Sequence, residues 1–122
     1  MFKRKADAPS LCVLQVSLDV LRVDGVVITD SNAASIYVRF LDPSQWSKID
    51  FDDVFADDWT HADNPPRYYQ HKSRKCAEVL VPHRVDPQLI SGAYVVDATA
   101  EADLRASGFP LPITVNRVIF FR

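Results

Sequence analysis

Glu78 is an ionisable residue placed where packing alone would favour a hydrocarbon side chain. It lies inside the apolar segment 76–81, which predicts a buried strand, and strand alternation puts it on the face of Cys76 and Leu80. Burying a carboxylate is costly unless it meets a cation, accepts several hydrogen bonds or faces a cleft. The cations close to it in the sequence are Lys72, Arg74, Lys75 and His83. A structural ion pair and a functional carboxylate both remain open.

The segment before Glu78 is rich in basic and aromatic side chains. They are Arg67, Tyr68, Tyr69, His71, Lys72, Arg74 and Lys75. Such cations neutralise phosphates, and such rings stack on unpaired bases. The alternative is a solvated basic turn whose rings pack into the core. Because the net charge is −2, positive charge for a nucleic acid must be gathered locally.

The 122 residues, 48% apolar and 25% charged, predict one globular domain over residues 1–122. Cys12 and Cys76 sit in apolar segments and predict buried, reduced thiols, as expected of a cytoplasmic protein. The cysteines and histidines lack metal-ligand spacing, so we expect no metal. No apolar run approaches about 18 residues, so we expect no membrane span.

The elements that must position Glu78 follow from hydrophobic patterning. Strands are predicted at residues 11–17 (largely buried), 25–30, 76–81, 92–96 and 113–121. Helices are predicted at residues 31–41, capped by Asp30 or Ser31, and 100–107, capped by Thr99. Residues 43–70 lack periodicity and predict a long irregular connection with one helical turn near residues 51–59. The expected fold is α+β, with a small mixed or antiparallel sheet and short helices.

Three segments carry a family resemblance. They are a basic stretch leading into Ala-Glu and an apolar strand (72–81), a threonine-aspartate turn (25–34) and a last apolar segment (111–122). In this order they resemble DarT, a family of single-stranded-DNA ADP-ribosyltransferase toxins. The resemblance covers residues 11–122 and implies the C-terminal portion of an ADP-ribosyltransferase-like fold.

The resemblance also implies an activity and partners. ADP-ribose would pass from the co-substrate NAD to a base of single-stranded DNA, thymidine in the better-known branch, in a toxin whose partner is an antitoxin. Glu78 would be the catalytic glutamate, stabilising positive charge on the ribose and helping to remove a proton from the attacking base nitrogen. The basic and aromatic segment, together with Asn32, would bind the DNA.

The histidine, threonine and arginine motifs that hold NAD near the start of the family's domain have no match in this sequence. We therefore expect an N-terminally truncated domain with unassigned NAD-binding residues, completed by a missing N-terminal segment or a second chain. The alternatives are a non-catalytic remnant, a nucleic-acid- or protein-binding module, and an enzyme that modifies protein or RNA.

Overall fold

The computed structural model describes the chain over residues 5–56 and 63–121. In chain order the strands are β1 Val13–Val16, β2 Val27–Thr29, β3 Phe40–Leu41, β4 Val79–Leu80, β5 Ile90–Val95 and β6 Ile113–Val115. The α-helices are α1 Phe51–Phe55, α2 Pro65–Arg74, α3 Ala98–Ala106 and α4 Val118–Phe121. Short 3-10 helices occupy Lys5–Ser10, Leu18–Arg22, Pro43–Lys48 and Pro87–Leu89. The predicted α+β fold with small sheets and short helices is confirmed.

The chain divides into two compact units, one formed by Met1–Leu18 with Asp86–Arg122 and the other by Asp19–Val85. In the first unit, β5 pairs antiparallel with β1 and parallel with β6. Its buried core residues are Ala8, Val95, Val96, Ala100 and Phe120. A single domain over the whole chain stays a prediction.

Helix α3 of this first unit begins two residues earlier than predicted. Asp97, not Thr99, is its N-cap, and its carboxylate accepts the backbone N–H of Ala100 at 2.8 Å. The predicted strand at 113–121 is half wrong: β6 ends at Val115, and Asn116 then accepts the N–H of Val118 as α4 begins. A side chain that satisfies an unpaired N–H at a helix start favours the helix over a continued strand.

The second unit holds the antiparallel sheet β3-β2-β4, with β2 at its centre. Its buried residues include Val26, Ile28 and Leu41, and also the polar Thr29, Asp53 and His71. The prediction of an irregular connection over 43–70 is wrong within its described residues, 43–56 and 63–70, because a 3-10 helix, α1 and the start of α2 occupy most of them. The helical turn predicted there is α1. Residues 57–59, which the prediction included in that turn, lie outside the described residues.

Helix α2 was missed because its sequence opens with two prolines, which usually mark loops. Pro65 and Pro66 occupy the first helical positions, where a missing N–H costs nothing, and Asn64 caps the N–H of Arg67. His71, Lys72 and Arg74 fall in its last turn, where cations complement the helix dipole. The helix therefore carries almost all of the basic and aromatic segment.

The predicted helix at 31–41 is also wrong, because side chains bind the backbone there in place of helical hydrogen bonds. Asn32 Oδ1 accepts the N–H of Ala34, and Ser35 Oγ accepts that of Tyr37. The result is a series of turns between β2 and β3. We call residues 30–39 the 30–39 loop.

Two segments that were expected to be buried are exposed to solvent. Cys12 and Cys76 are exposed free cysteines, not buried thiols. Strand β1 is shorter than residues 11–17, and three of its four residues are exposed, so it is not largely buried. Within the described residues no helix has the length and apolar character to cross a membrane.

Candidate functional site

Glu78 lies directly before β4, and the central strand β2 fixes its backbone. Thr29 N–H donates to the carbonyl of Glu78 at 2.9 Å, and the N–H of Glu78 donates to Thr29 Oγ1 at 2.8 Å. Thr29 is completely buried, so its hydroxyl has one well-defined environment. Main-chain pairing with β2 and the buried side chain of Thr29 together fix the position of Glu78 at the start of β4.

The carboxylate of Glu78 is oriented by the 30–39 loop. The backbone N–H of Ala33 donates to Oε2 of Glu78 at 3.1 Å. The predicted strand at 76–81 is wrong in extent, and Glu78 is exposed instead of buried among apolar residues. Among residues 7–56 and 63–120, whose side chains are described, no lysine, arginine or histidine forms an ion pair with it. A structural ion pair, one of the two interpretations of Glu78 left open by the sequence, is therefore not formed among these residues.

The 30–39 loop is closed at its base by one carboxylate. Asp30 accepts the backbone N–H of Arg39 at 2.9 Å and the Nε–H of Arg39 at 2.6 Å. Partial burial raises the pKa of Asp30, but the hydrogen bonds and charge of Arg39 outweigh it and hold that pKa below its usual range. The loop is also tied to α2, because Asn32 N–H donates to the carbonyl of Ser73 at 2.9 Å.

The second unit contains a cleft of about 860 Å³, which we call the loop–helix cleft. Ser31, Ser35 and Tyr37 of the 30–39 loop line it on one side. Arg67, Tyr69 and Arg74 of α2 line it on the other. A smaller cavity of about 260 Å³ is lined by Asn32 and Ala34, the neighbours of the residue that holds the Glu78 carboxylate.

A partly buried ion-pair cluster joins α1 to α2 beside the loop–helix cleft. The carboxylate of Asp53 accepts two hydrogen bonds from Arg67, at 2.8 and 3.1 Å, and one from Arg74 at 2.5 Å. His71 Nε2 lies 2.8 Å from the carbonyl oxygen of Asp53. Burial raises the pKa of Asp53, whereas hydrogen bonds from Arg74 and Arg67 lower it, and the balance leaves that pKa below its ordinary value of 3.8.

The residues predicted to contact DNA are divided by this geometry. Tyr69 and Lys72 of α2 are exposed, as is Asn32 of the 30–39 loop. Tyr68 is half-buried, and the ammonium of Lys72 lies 5.9 Å from its ring centroid. These four residues remain accessible to a ligand.

The other four predicted contacts carry structural interactions. His71 is only 2% exposed, so its ring offers no face on which a DNA base could stack. Lys75 Nζ donates to the carbonyls of Val54 and Ala56 at the end of α1. Arg67 and Arg74 form ion pairs with Asp53 and also line the loop–helix cleft.

Three residues of the site were not singled out from the sequence. Thr29 could have been noticed, because it is a polar residue at the end of an otherwise apolar strand. The pattern did not show that its hydroxyl accepts the backbone N–H of Glu78. Ala33 acts through its main chain, which leaves no trace in residue type. Asp53 was one of several aspartates in an acidic run, and nothing local distinguishes the one that becomes buried.

Comparison with known proteins bears directly on this arrangement. The sequence model of the family "ssDNA thymidine ADP-ribosyltransferase, DarT" matches residues 1–121. The chain belongs to the DarT family. A DNA ADP-ribosyl transferase-DNA ADP-ribosyl glycohydrolase fusion protein of Thermosipho africanus is 28% identical over 116 residues, covering 91% of this chain and 28% of that relative.

Solved structures of DarT proteins share the fold. Thermosipho africanus DarTG in complex with ADP-ribose matches with a TM-score of 0.76 and 26% identity, over 93% of this chain and 30% of that one. Thermus sp. 2.9 DarT in complex with carba-NAD+ matches with a TM-score of 0.77 and 18% identity, over 95% of this chain and 61% of that one. This chain thus spans between about a third and three fifths of the DarT structures that it matches.

Proposed function

We propose that this chain takes part in NAD-dependent ADP-ribosylation of thymidine in single-stranded DNA, with Glu78 as the catalytic carboxylate. The observation that carries the proposal is the support of Glu78 from two sides. Thr29 holds its backbone and Ala33 holds Oε2, yet the side chain is exposed and carries no ion pair within the described residues. Membership of the DarT family, whose description is that of an ssDNA thymidine ADP-ribosyltransferase, supports ADP-ribosyl transfer as the reaction at this carboxylate.

The reaction exchanges one glycosidic bond for another. The bond between ribose and nicotinamide breaks, a bond between ribose and a base nitrogen forms, nicotinamide leaves, and the base nitrogen loses a proton. The Glu78 carboxylate can stabilise positive charge on the ribose and accept that proton. The hydrogen bond from Ala33 restricts the carboxylate to one orientation, and the second oxygen remains available for substrate.

The donor set of the site fits NAD only in part. An exposed carboxylate suits a ribose hydroxyl, which donates a hydrogen bond. The residues that would hold the pyrophosphate are not assigned in this chain. A further segment or second chain that supplies them belongs to the same proposal.

We place this activity in a toxin–antitoxin system of the bacterial cytoplasm, where chromosomal DNA lies. Its support is the Thermosipho africanus relative, in which a DNA ADP-ribosyl transferase is fused to a DNA ADP-ribosyl glycohydrolase. A glycohydrolase reverses such a modification. The expected antitoxin is therefore a protein that removes ADP-ribose from DNA.

Mass spectrometry of an oligonucleotide tests the proposed activity. A thymidine-containing single-stranded oligonucleotide, incubated with the chain and NAD, is expected to gain the mass of one ADP-ribose. Matched oligonucleotides without thymidine, RNA of the same sequence, and reactions without NAD are the controls. Salt-sensitive binding of the oligonucleotide with no mass gain would instead identify a nucleic-acid-binding module without catalysis.

A further inference from the structure

We propose that Asp30 is a positioning residue for the reaction: by closing the 30–39 loop, it holds the backbone N–H of Ala33 where that group orients the Glu78 carboxylate. The inference rests on the proposed function, because it concerns how the catalytic carboxylate of that function is held. From the sequence, Asp30 was expected only to cap a helix at residues 31–41, and that helix does not form.

Two consecutive residues at the end of β2 support Glu78 in different ways. Thr29 holds the main chain of Glu78 through its own N–H and its buried hydroxyl. Asp30 holds the base of the loop whose Ala33 N–H reaches Oε2 of Glu78 at 3.1 Å. Within the described residues Asp30 shares no hydrogen bond with Glu78, so its effect on the carboxylate passes through the loop.

The base of the loop depends on the Asp30 carboxylate. Its two oxygens accept the backbone N–H and the Nε–H of Arg39, and the backbone N–H of Asp30 donates to the carbonyl of Arg39 at 3.4 Å. The Arg39 side chain is 59% exposed, and an exposed ion pair by itself adds little. The Asp30 side chain is only 16% exposed and also binds main chain, so its loss would leave a backbone N–H without its acceptor at the point where the loop closes.

The chain between Asp30 and Ala33 is short and held at each step. Ser31 Oγ donates to Asp30 Oδ1 at 3.3 Å, and Asn32 N–H donates to the carbonyl of Ser73 at 2.9 Å. Only these two residues separate Asp30 from Ala33. A shift at the base is therefore expected to reach the Ala33 N–H, and a displacement of about 1 Å in a catalytic group can lower a rate by about 10²-fold.

Hydrogen exchange of single backbone amides, followed by NMR, tests the positioning without any turnover. Glu78→Ala removes the acceptor and gives the exchange rate of a released Ala33 N–H. Asp30→Ala is expected to accelerate exchange at Ala33 by about 10- to 100-fold, towards that rate. Asp30→Asn keeps an oxygen for the Arg39 N–H and is expected to accelerate it by about 2- to 10-fold, which provides a milder variant should Asp30→Ala not fold.

Two controls separate a local effect from general loosening. The N–H of Thr29, which pairs with the carbonyl of Glu78, is expected to keep its exchange rate in both Asp30 variants. Asp24→Ala is the matched substitution, because Asp24 is an exposed aspartate shortly before β2, and it is expected to leave exchange at Ala33 unchanged.

Steady-state kinetics test whether the positioning matters to the reaction. In Asp30→Ala we expect kcat to fall by about 10–10²-fold while KM for NAD changes by less than about 2-fold, since the position of the carboxylate matters most in the transition state. In a Glu78→Gln background the same substitution is expected to cost less than about 2-fold, because no charged carboxylate remains to be positioned. A merely structural role would lower turnover equally in both backgrounds.

The outcomes separate this inference from the function on which it rests. If the oligonucleotide gains ADP-ribose but Asp30→Ala retains full turnover, or costs as much in the Glu78→Gln background, the positioning role is wrong and the proposed function stands. Unchanged exchange at Ala33, or equal acceleration at Thr29, would also overturn it. If exchange at Ala33 responds as expected but no mass gain occurs with NAD, Asp30 positions the carboxylate and the proposed activity fails.

Discussion

The backbone N–H of Ala33 donates a hydrogen bond to Oε2 of Glu78 across 45 positions of sequence. The donor belongs to the turns that follow β2, and the acceptor belongs to the residue that precedes β4. Since β2 and β4 are paired neighbours, one short sheet places the loop and the carboxylate together. The small sheet thereby sets the orientation of the proposed catalytic group.

Thr29→Val tests whether the buried threonine positions Glu78. Valine conserves the shape but removes the acceptor for the N–H of Glu78, so we expect a loss of about 1–3 kcal/mol in the free energy of unfolding. Displacement of the carboxylate is expected to lower the turnover number by about 10–10²-fold. Urea denaturation and oligonucleotide mass spectrometry measure the two effects.

Thr114→Val is the control for that substitution, because Thr114 is an exposed threonine of β6. It is expected to change stability by less than about 0.5 kcal/mol and to leave turnover unchanged. Full turnover in Thr29→Val, with stability lowered as expected, would show that the threonine supports the sheet but not the reaction.

Asp53→Asn tests the cluster that joins α1 to α2. The side chain keeps its size but loses the charge that pairs with Arg67 and Arg74, and we expect a loss of about 1–3 kcal/mol at neutral pH. The pKa of Asp53 lies below its ordinary value of 3.8, so its contribution is present above that value and is lost as pH falls through the folded-state pKa. The stability difference between the two proteins is therefore expected to be constant from pH 7 to 5 and to shrink below about pH 4.

Urea denaturation across that pH range measures the difference. Asp52→Asn is the matched control, because Asp52 is an exposed aspartate of the same helix. A difference for Asp53→Asn that does not change between pH 7 and 3 would mean that the charge of Asp53 contributes nothing to stability.

Asp97→Ala tests the start of α3. Loss of a capping carboxylate is expected to cost about 0.5–2 kcal/mol in the free energy of unfolding. Thr99→Ala, at the residue first expected to cap the helix, is predicted to cost less, since Thr99 is an exposed residue inside α3. The reverse order, measured by thermal or urea denaturation, would contradict the assigned cap.

The sequence was sufficient where local pattern and structure agree. Hydrophobic patterning located β1, β2, β5 and β6 near their observed positions. The catalytic role of Glu78, which the family motif implies, stays a prediction. The patterning failed over residues 31–38, because short polar side chains there hydrogen-bond to the backbone and override helical spacing. It failed at α2, because prolines at a helix start resemble those of a loop.

The ion pairs of Asp53 could not be predicted for a different reason. Its partners Arg67 and Arg74 lie 14 and 21 positions away, and the pairing depends on how α1 packs against α2. The same arginines were expected to be free for phosphate. Tertiary contacts of this kind are absent from any local window of sequence.

The most direct test of the account is the rate of ADP-ribosylation of a single-stranded oligonucleotide by Glu78→Gln. Glutamine keeps an oxygen for the Ala33 N–H but removes the charge and the proton acceptor, so we expect turnover to fall by about 10²–10⁴-fold with DNA binding unchanged. Glu101→Gln, at the chain's other glutamate, is expected to retain full turnover. Undiminished turnover in Glu78→Gln would contradict the assignment of Glu78 as the catalytic carboxylate.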